Sequence, residues 1–128
     1  MTANRKHTGR KALEIAQLSP ADPDNMKELW DIMFASTYGD SWSRSGLSMR
    51  TKSFLCLAVT ASLGLEREFL LHAKSAQRVG VTKSQLVEML IHLSGYIGAP
   101  RVAVAAARLR EMWNTAPQAP KPRRPRTG

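Results

Sequence analysis

An all-α domain of about five helices is the fold class this sequence predicts, and three observations predict it. Apolar residues between Met26 and Trp113 recur at three- and four-residue spacing, the period that puts them on one face of a helix. Helix-start and helix-stop residues punctuate those stretches at helical lengths: Ser48, Thr82 with Gln85, Gly80, and Gly98-Ala99-Pro100. No strand-like alternation and no internal repeat interrupts them.

Residues 1–23 read as a flexible basic arm and linker, in which Pro20 and Pro23 prevent continuous helix. Asp24 or Asn25 is the candidate cap of the first helix, whose Met26, Leu29, Trp30, Ile32, Met33 and Phe34 make a broad apolar side to about Ser36. Tyr38 to Leu47, with two glycines among polar and aromatic residues, is expected to be a loop. Ser48 then caps a helix from Met49 to about Leu63 whose middle, LCLAVTASL, is almost wholly apolar; a helix apolar on all sides is expected at the centre of the fold. The next helix carries Leu65, Phe69, Leu70 and Ala73 on one stripe and Glu68, His72 and Ala76 on its neighbour, and stops at Gly80. Thr82 and Gln85 form a capping-box pattern for a helix with Leu86, Met89, Leu90, Leu93 and Ile97 as its apolar face and Glu88, His92 and Tyr96 on a second stripe. The last helix, Pro100 to Trp113, is rich in small residues that permit close contact inside the domain or between subunits. Residues 114–128 are Pro-rich and basic, and disorder is expected there. The folded domain is thereby assigned to residues 24–113.

Charge and composition narrow the function classes. The formal net charge is +9, but Arg5, Lys6, Arg10 and Lys11 supply four positive charges at one end and Lys121, Arg123, Arg124 and Arg126 four at the other. Between Ala12 and Ala116 there are 11 Lys/Arg against 10 Asp/Glu, so the domain itself is nearly neutral. No basic helix face or aromatic platform accompanies the charged ends, which argues against nucleic acid as the partner. The longest apolar run, Phe54 to Leu65, is far short of the roughly 20 residues of a membrane span. With one cysteine, Cys56, and no apolar signal core at the N-terminus, a reducing cytoplasmic setting is expected. Cys56 reads as a small buried hydrophobe, because no base lies at local spacing.

Two Glu-x-x-x-His pairs, Glu68/His72 and Glu88/His92, are the candidate chemistry. Such pairs also occur on helix surfaces with no function, adding about 0.2–0.5 kcal/mol of helix stability. A metal site is the first rival, but di-metal bundles use Glu-x-x-His, three apart, so no metal is assigned. A binding module built on the basic ends is the second.

Several separated motifs, taken together, go further. Trp42, Arg44, Gly46 and Leu47, then Arg50 and Ser53, then Glu68, His72, Gly80 and Thr82, then His92, Tyr96, Gly98 and Pro100 resemble, in that order, the gamma-carboxymuconolactone decarboxylase family within the alkylhydroperoxidase D-like superfamily. The resemblance runs from about Met26 to Trp113. It implies an alkylhydroperoxidase D-like helical bundle assembled as a homo-oligomer, commonly a hexamer built as a trimer of dimers, with sites near subunit contacts. It also implies cofactor-free decarboxylation of 4-carboxymuconolactone to the beta-ketoadipate enol-lactone, a step in protocatechuate breakdown, or of a different carboxylated or lactone metabolite on the same fold. The superfamily's peroxidase branch has a Cys-x-x-Cys pair whose positions here are Leu65 and Glu68, and an acidic partner whose position here is Ser53, so disulfide-based peroxide reduction has no thiols to run on. For a small anionic substrate, Arg44 and Arg50 are the candidate carboxylate anchors and Trp42 a pocket wall. His72 is the candidate proton donor, oriented and kept charged by Glu68, with His92 and Tyr96 as second donors or supports.

Overall fold

A computed structural model describes residues 26–115. The described residues form five α-helices: α1 (Lys27–Phe34), α2 (Met49–Leu63), α3 (Glu66–Arg78), α4 (Lys83–Ile97) and α5 (Ala99–Thr115). The candidate cap residues Asp24 and Asn25, the basic arm and most of the basic tail lie outside the described residues. α5 runs past the expected end at Trp113 as far as Thr115.

Local chemistry sets most of the helix ends. The Ser48 hydroxyl accepts from the Thr51 backbone N–H at 3.1 Å and starts α2. At α4 the capping box is complete: the Gln85 N–H donates to the Thr82 hydroxyl at 3.1 Å, and the Thr82 N–H donates to the Gln85 side-chain oxygen at 3.0 Å. α2 stops at Gly64, which adopts φ 70°, and the Leu65 N–H returns to the Thr60 carbonyl at 2.9 Å. A side chain at position 64 would also collide with the Arg101 guanidinium laid over it from α5.

α2 packs most extensively on α3, α4 on α5, and α3 on α5, and α2 also touches α4 and α5. The core lies among these four helices, with Leu57, Phe69, Ala73, Leu86, Leu90 and Leu109 at its centre. α1 buries none of its residues.

Two expectations are corrected. The stretch from Tyr38 is not all loop: α1 continues through a π-helical segment, Ala35–Ser41, and only the residues beyond it form the connection to α2. The Trp42 N–H reaches back five residues to the Thr37 carbonyl at 3.0 Å, the wide turn of a π-helix. Nor is α2 enclosed on all sides. Ser53, Leu57, Thr60 and Ala61 face inward, whereas Leu55, Val59 and Leu63 are 53%, 54% and 62% exposed. The other helices pack against one side of α2 only, and no described element covers the second.

Among the described residues, no helix is long and apolar enough to cross a membrane.

Candidate active site

Aromatic residues at i, i+4 spacing make a ladder along α1 and its π-helical extension. Trp30 stacks on Phe34 (ring centroids 5.5 Å), Phe34 meets Tyr38 (6.0 Å), and Tyr38 stacks on Trp42 (6.0 Å, planes 18° apart). The ladder ends on another helix. Trp42 lies parallel to the His72 imidazole of α3, with centroids 6.2 Å apart and planes within 4°. Trp42 is 7% exposed and stands outside the main core cluster.

His72 is half-buried, and its Nδ1 is sealed from solvent with no hydrogen-bond partner among the described residues. Leaving such a group unsatisfied costs roughly 1–3 kcal/mol. Burial lowers its pKa below the usual imidazole value, and the Glu68 carboxylate one turn earlier works against that shift. Desolvation wins. The expectation that Glu68 keeps His72 charged is therefore corrected: the resting imidazole is biased toward its neutral form. Glu68 itself is half-exposed and has Arg67 at 4.0 Å.

Trp42 also belongs to the wall of a cavity of about 350 Å³, together with Ser41, Arg44, Lys52, Leu55 and Cys56. The two charged side chains in this wall, Arg44 and Lys52, are both cations. Lys52 is committed to the protein: its ammonium donates to the carbonyls of Ser41, Trp42 and Arg44. The exposed Arg44 guanidinium makes no ion pair with any described residue. Arg50 is placed differently. Its guanidinium donates to the Gln85 side-chain oxygen at 2.8 Å and so ties the start of α2 to the capping box of α4.

The second polar stripe lies apart from this constellation. Glu88, His92 and Tyr96 occupy the exposed side of α4, His92 and Tyr96 at 5.2 Å between rings, with Tyr96 78% exposed. Among the described residues, no three His, Cys, Asp or Glu side chains cluster as metal ligands would.

The span of chain that builds this arrangement matches a family model. Residues 26–111, more than half of the sequence, match that of the carboxymuconolactone decarboxylase family. The chain belongs to the carboxymuconolactone decarboxylase family. A relative in this family, 4-carboxymuconolactone decarboxylase from Acinetobacter baylyi, is 36% identical over 84 residues, covering 66% of this chain and 63% of that protein. The chain thus aligns with less than two thirds of its relative's length. The family match contains Trp42, Arg44, Glu68 and His72, and also Arg50, His92 and Tyr96.

Three residues of the site were not singled out for it from the sequence. Sequence alone does not mark Tyr38 or Lys52 for the site, and Cys56, expected to be a buried hydrophobe, is only partly buried and lines the cavity. The 30-34-38-42 aromatic spacing was the available signal for Tyr38. Burial raises the pKa of Cys56, and that of Tyr38 is pushed up to about 12 by burial and by Cys56 nearby. Cys56 is therefore a protonated thiol at neutral pH, in keeping with its reading as a small hydrophobe. At pH 7.5 it is expected to react with iodoacetamide more slowly than a free thiol, since only the thiolate attacks; mass spectrometry of a labelling time course checks this.

Proposed function

We propose that this chain is a cofactor-independent decarboxylase acting on a carboxylated unsaturated lactone, with 4-carboxymuconolactone, converted to the beta-ketoadipate enol-lactone in protocatechuate breakdown, as its substrate. The observation that carries the reading is the half-buried imidazole of His72 lying parallel to Trp42, which in turn walls a cavity whose charged side chains are cations. The family and the name of the A. baylyi relative support it.

The chemistry asks little of the protein. As carbon dioxide leaves, the electrons of the broken C–C bond enter the unsaturated lactone ring, and negative charge collects on its carbonyl oxygen. A proton delivered to the carbon next to that carbonyl completes the enol-lactone. The substrate is its own electron sink, so the protein has to hold carboxylates, shelter the enolate from water and supply one proton. Arg44 is suited to the first task, since a guanidinium grips a carboxylate through two parallel hydrogen bonds. Trp42 supplies the sheltering wall. His72 supplies the proton: neutral at rest, it is driven toward imidazolium when a carboxylated substrate binds beside it, and it then faces an enolate stronger in basicity than itself. Glu68 favours that same charged form.

Arg50, His92 and Tyr96 enter the proposal only through assembly, as groups that an adjoining subunit brings to the site. Exposed Leu55, Val59 and Leu63 on α2, and an apolar groove of about 470 Å³ between α4 and α5 that includes Val87 and Ile91, support assembly as a homo-oligomer.

The test is ultraviolet monitoring of 4-carboxymuconolactone with the purified full chain. Turnover that persists with a chelator present is expected. Absence of turnover by the wild-type chain would overturn the substrate assignment, and other carboxylated lactones would then be the compounds to screen.

A further inference from the structure

We propose that Lys52 is a positioning residue that sets the active-site geometry, fastening the end of the π-helical segment and the loop after it to α2 so that Trp42 lies on His72 and Arg44 borders the cavity. The inference rests on reading Trp42, His72 and Arg44 as the site of the proposed reaction.

The geometry is unusual for a surface lysine. An ammonium has three N–H donors, and Lys52 directs them at three backbone carbonyls within four residues: Ser41 at 3.3 Å, Trp42 at 2.8 Å, and Arg44. Ser41 and Trp42 stand at the C-terminal end of the π-helical segment, where carbonyls lack intrahelical partners and the dipole also favours a positive charge, and Arg44 lies beyond it in the connection. The π-helical segment ends at Ser41, and no side chain other than Lys52 caps those three carbonyls among the described residues. Two further bonds close the connection, from the Arg44 N–H to the Ser41 carbonyl at 3.2 Å and from the Ser43 hydroxyl to the Gly39 carbonyl. The anchor point is firm, because Lys52 sits in the first turn of α2, started by the Ser48 cap, beside the buried Ser53. Lys52 thus reaches both functional groups through the backbone. Trp42 and Arg44 are the residues whose carbonyls it holds, and Trp42 is what covers the imidazole.

An apolar side chain at position 52 would leave the three carbonyls to water and release the connection. A planar guanidinium keeps the charge but cannot point three donors in the same directions. The experiment compares wild type with Lys52→Met, Lys52→Gln and Lys52→Arg, using circular dichroism for fold. Proton NMR titration of His72 is the main readout, its resonance identified by loss in His72→Ala. In wild type the imidazole titrates below the ordinary value because burial outweighs the nearby Glu68. In Lys52→Met it is expected to titrate higher than in wild type, since Trp42 no longer shields it while Glu68 still favours the charged form, with Lys52→Arg returning toward wild type. Lactone turnover is expected to show kcat/KM about 10²-fold lower in Lys52→Met, the scale of a 1 Å misplacement, and partly restored in Lys52→Arg. If Lys52→Met does not fold, Lys52→Gln carries the same expectation for His72. An unmoved His72 titration in the folded variants would overturn the positioning role. Absence of wild-type turnover would overturn the reaction and leave the titration to decide Lys52.

Discussion

Replacing His72 by alanine is expected to lower kcat for 4-carboxymuconolactone by about 10²–10⁴-fold, the range for losing a positioned proton donor, while KM should change little, since the proposed carboxylate anchor Arg44 is left in place. The pH profile gives the sharper test. If the imidazolium delivers the proton, activity falls as pH rises through the His72 pKa. That fall comes early in kcat/KM, which reports the free chain, where burial depresses the pKa. It comes at higher pH in kcat, because the bound carboxylate stabilises the imidazolium. Stability follows the same group with its own sign. Unfolded, His72 takes up a proton near pH 6.5, the ordinary value; folded, it resists until lower pH. The folded chain therefore loses stability as pH falls from the unfolded value to the folded one, and His72→Ala should flatten thermal midpoints across that window. A variant that retains wild-type kcat, or a kcat profile without a limb at high pH, would remove His72 from the chemistry.

How much of this was legible beforehand depends on how far the deciding interaction lies along the chain. Thr82 and Gln85 announced α4, and Ser48 announced α2, because a cap is settled within three residues. The π-helical continuation to Ser41 was hidden, since Gly39 and its polar neighbours look like a loop. The contacts that segment makes lie far along the chain, in the stack of Tyr38 and Trp42 ending on His72, thirty positions beyond Trp42, and in the Lys52 bonds to its last carbonyls. Side-chain type suggested Arg44 and Arg50 equally, and only folding shows one beside a cavity and the other bonded to Gln85. The Glu68/His72 spacing was plain in the sequence, but the balance between attraction and desolvation is not a property of spacing. Apolarity announced that α2 must be covered; it could not say that Leu55, Val59 and Leu63 would find no cover in their own chain.

Phe69→Ala is the substitution expected to cost most in stability, and it also bears on how the site is held. Phe69 is 2% exposed and heads the fully buried side chains of the core. It stands on α3 one turn before Ala73, where α3 meets α2 and α5, with Ala61 and Ala105 among its surroundings. These neighbours are small alanines buried on packed helices, so they have no side chain to swing into the space a phenyl ring leaves. The expected loss is about 3–5 kcal/mol, as for other Phe-to-Ala changes in packed cores, against a typical total of roughly 5–15 kcal/mol. Denaturant unfolding at fixed protein concentration should show this as a lowered midpoint with little change in slope, while Lys74→Ala, exposed on the same helix, should stay within about 0.5 kcal/mol of wild type. Phe69 is also three residues from His72, so loosening α3 against α2 moves the imidazole relative to Trp42, which is carried by a different part of the chain. Activity should therefore fall in Phe69→Ala even at temperatures where the variant remains folded. A loss below about 1 kcal/mol would mean that the α2–α3 contact can repack, and the tight coupling of core to site argued from Phe69 would fail with it.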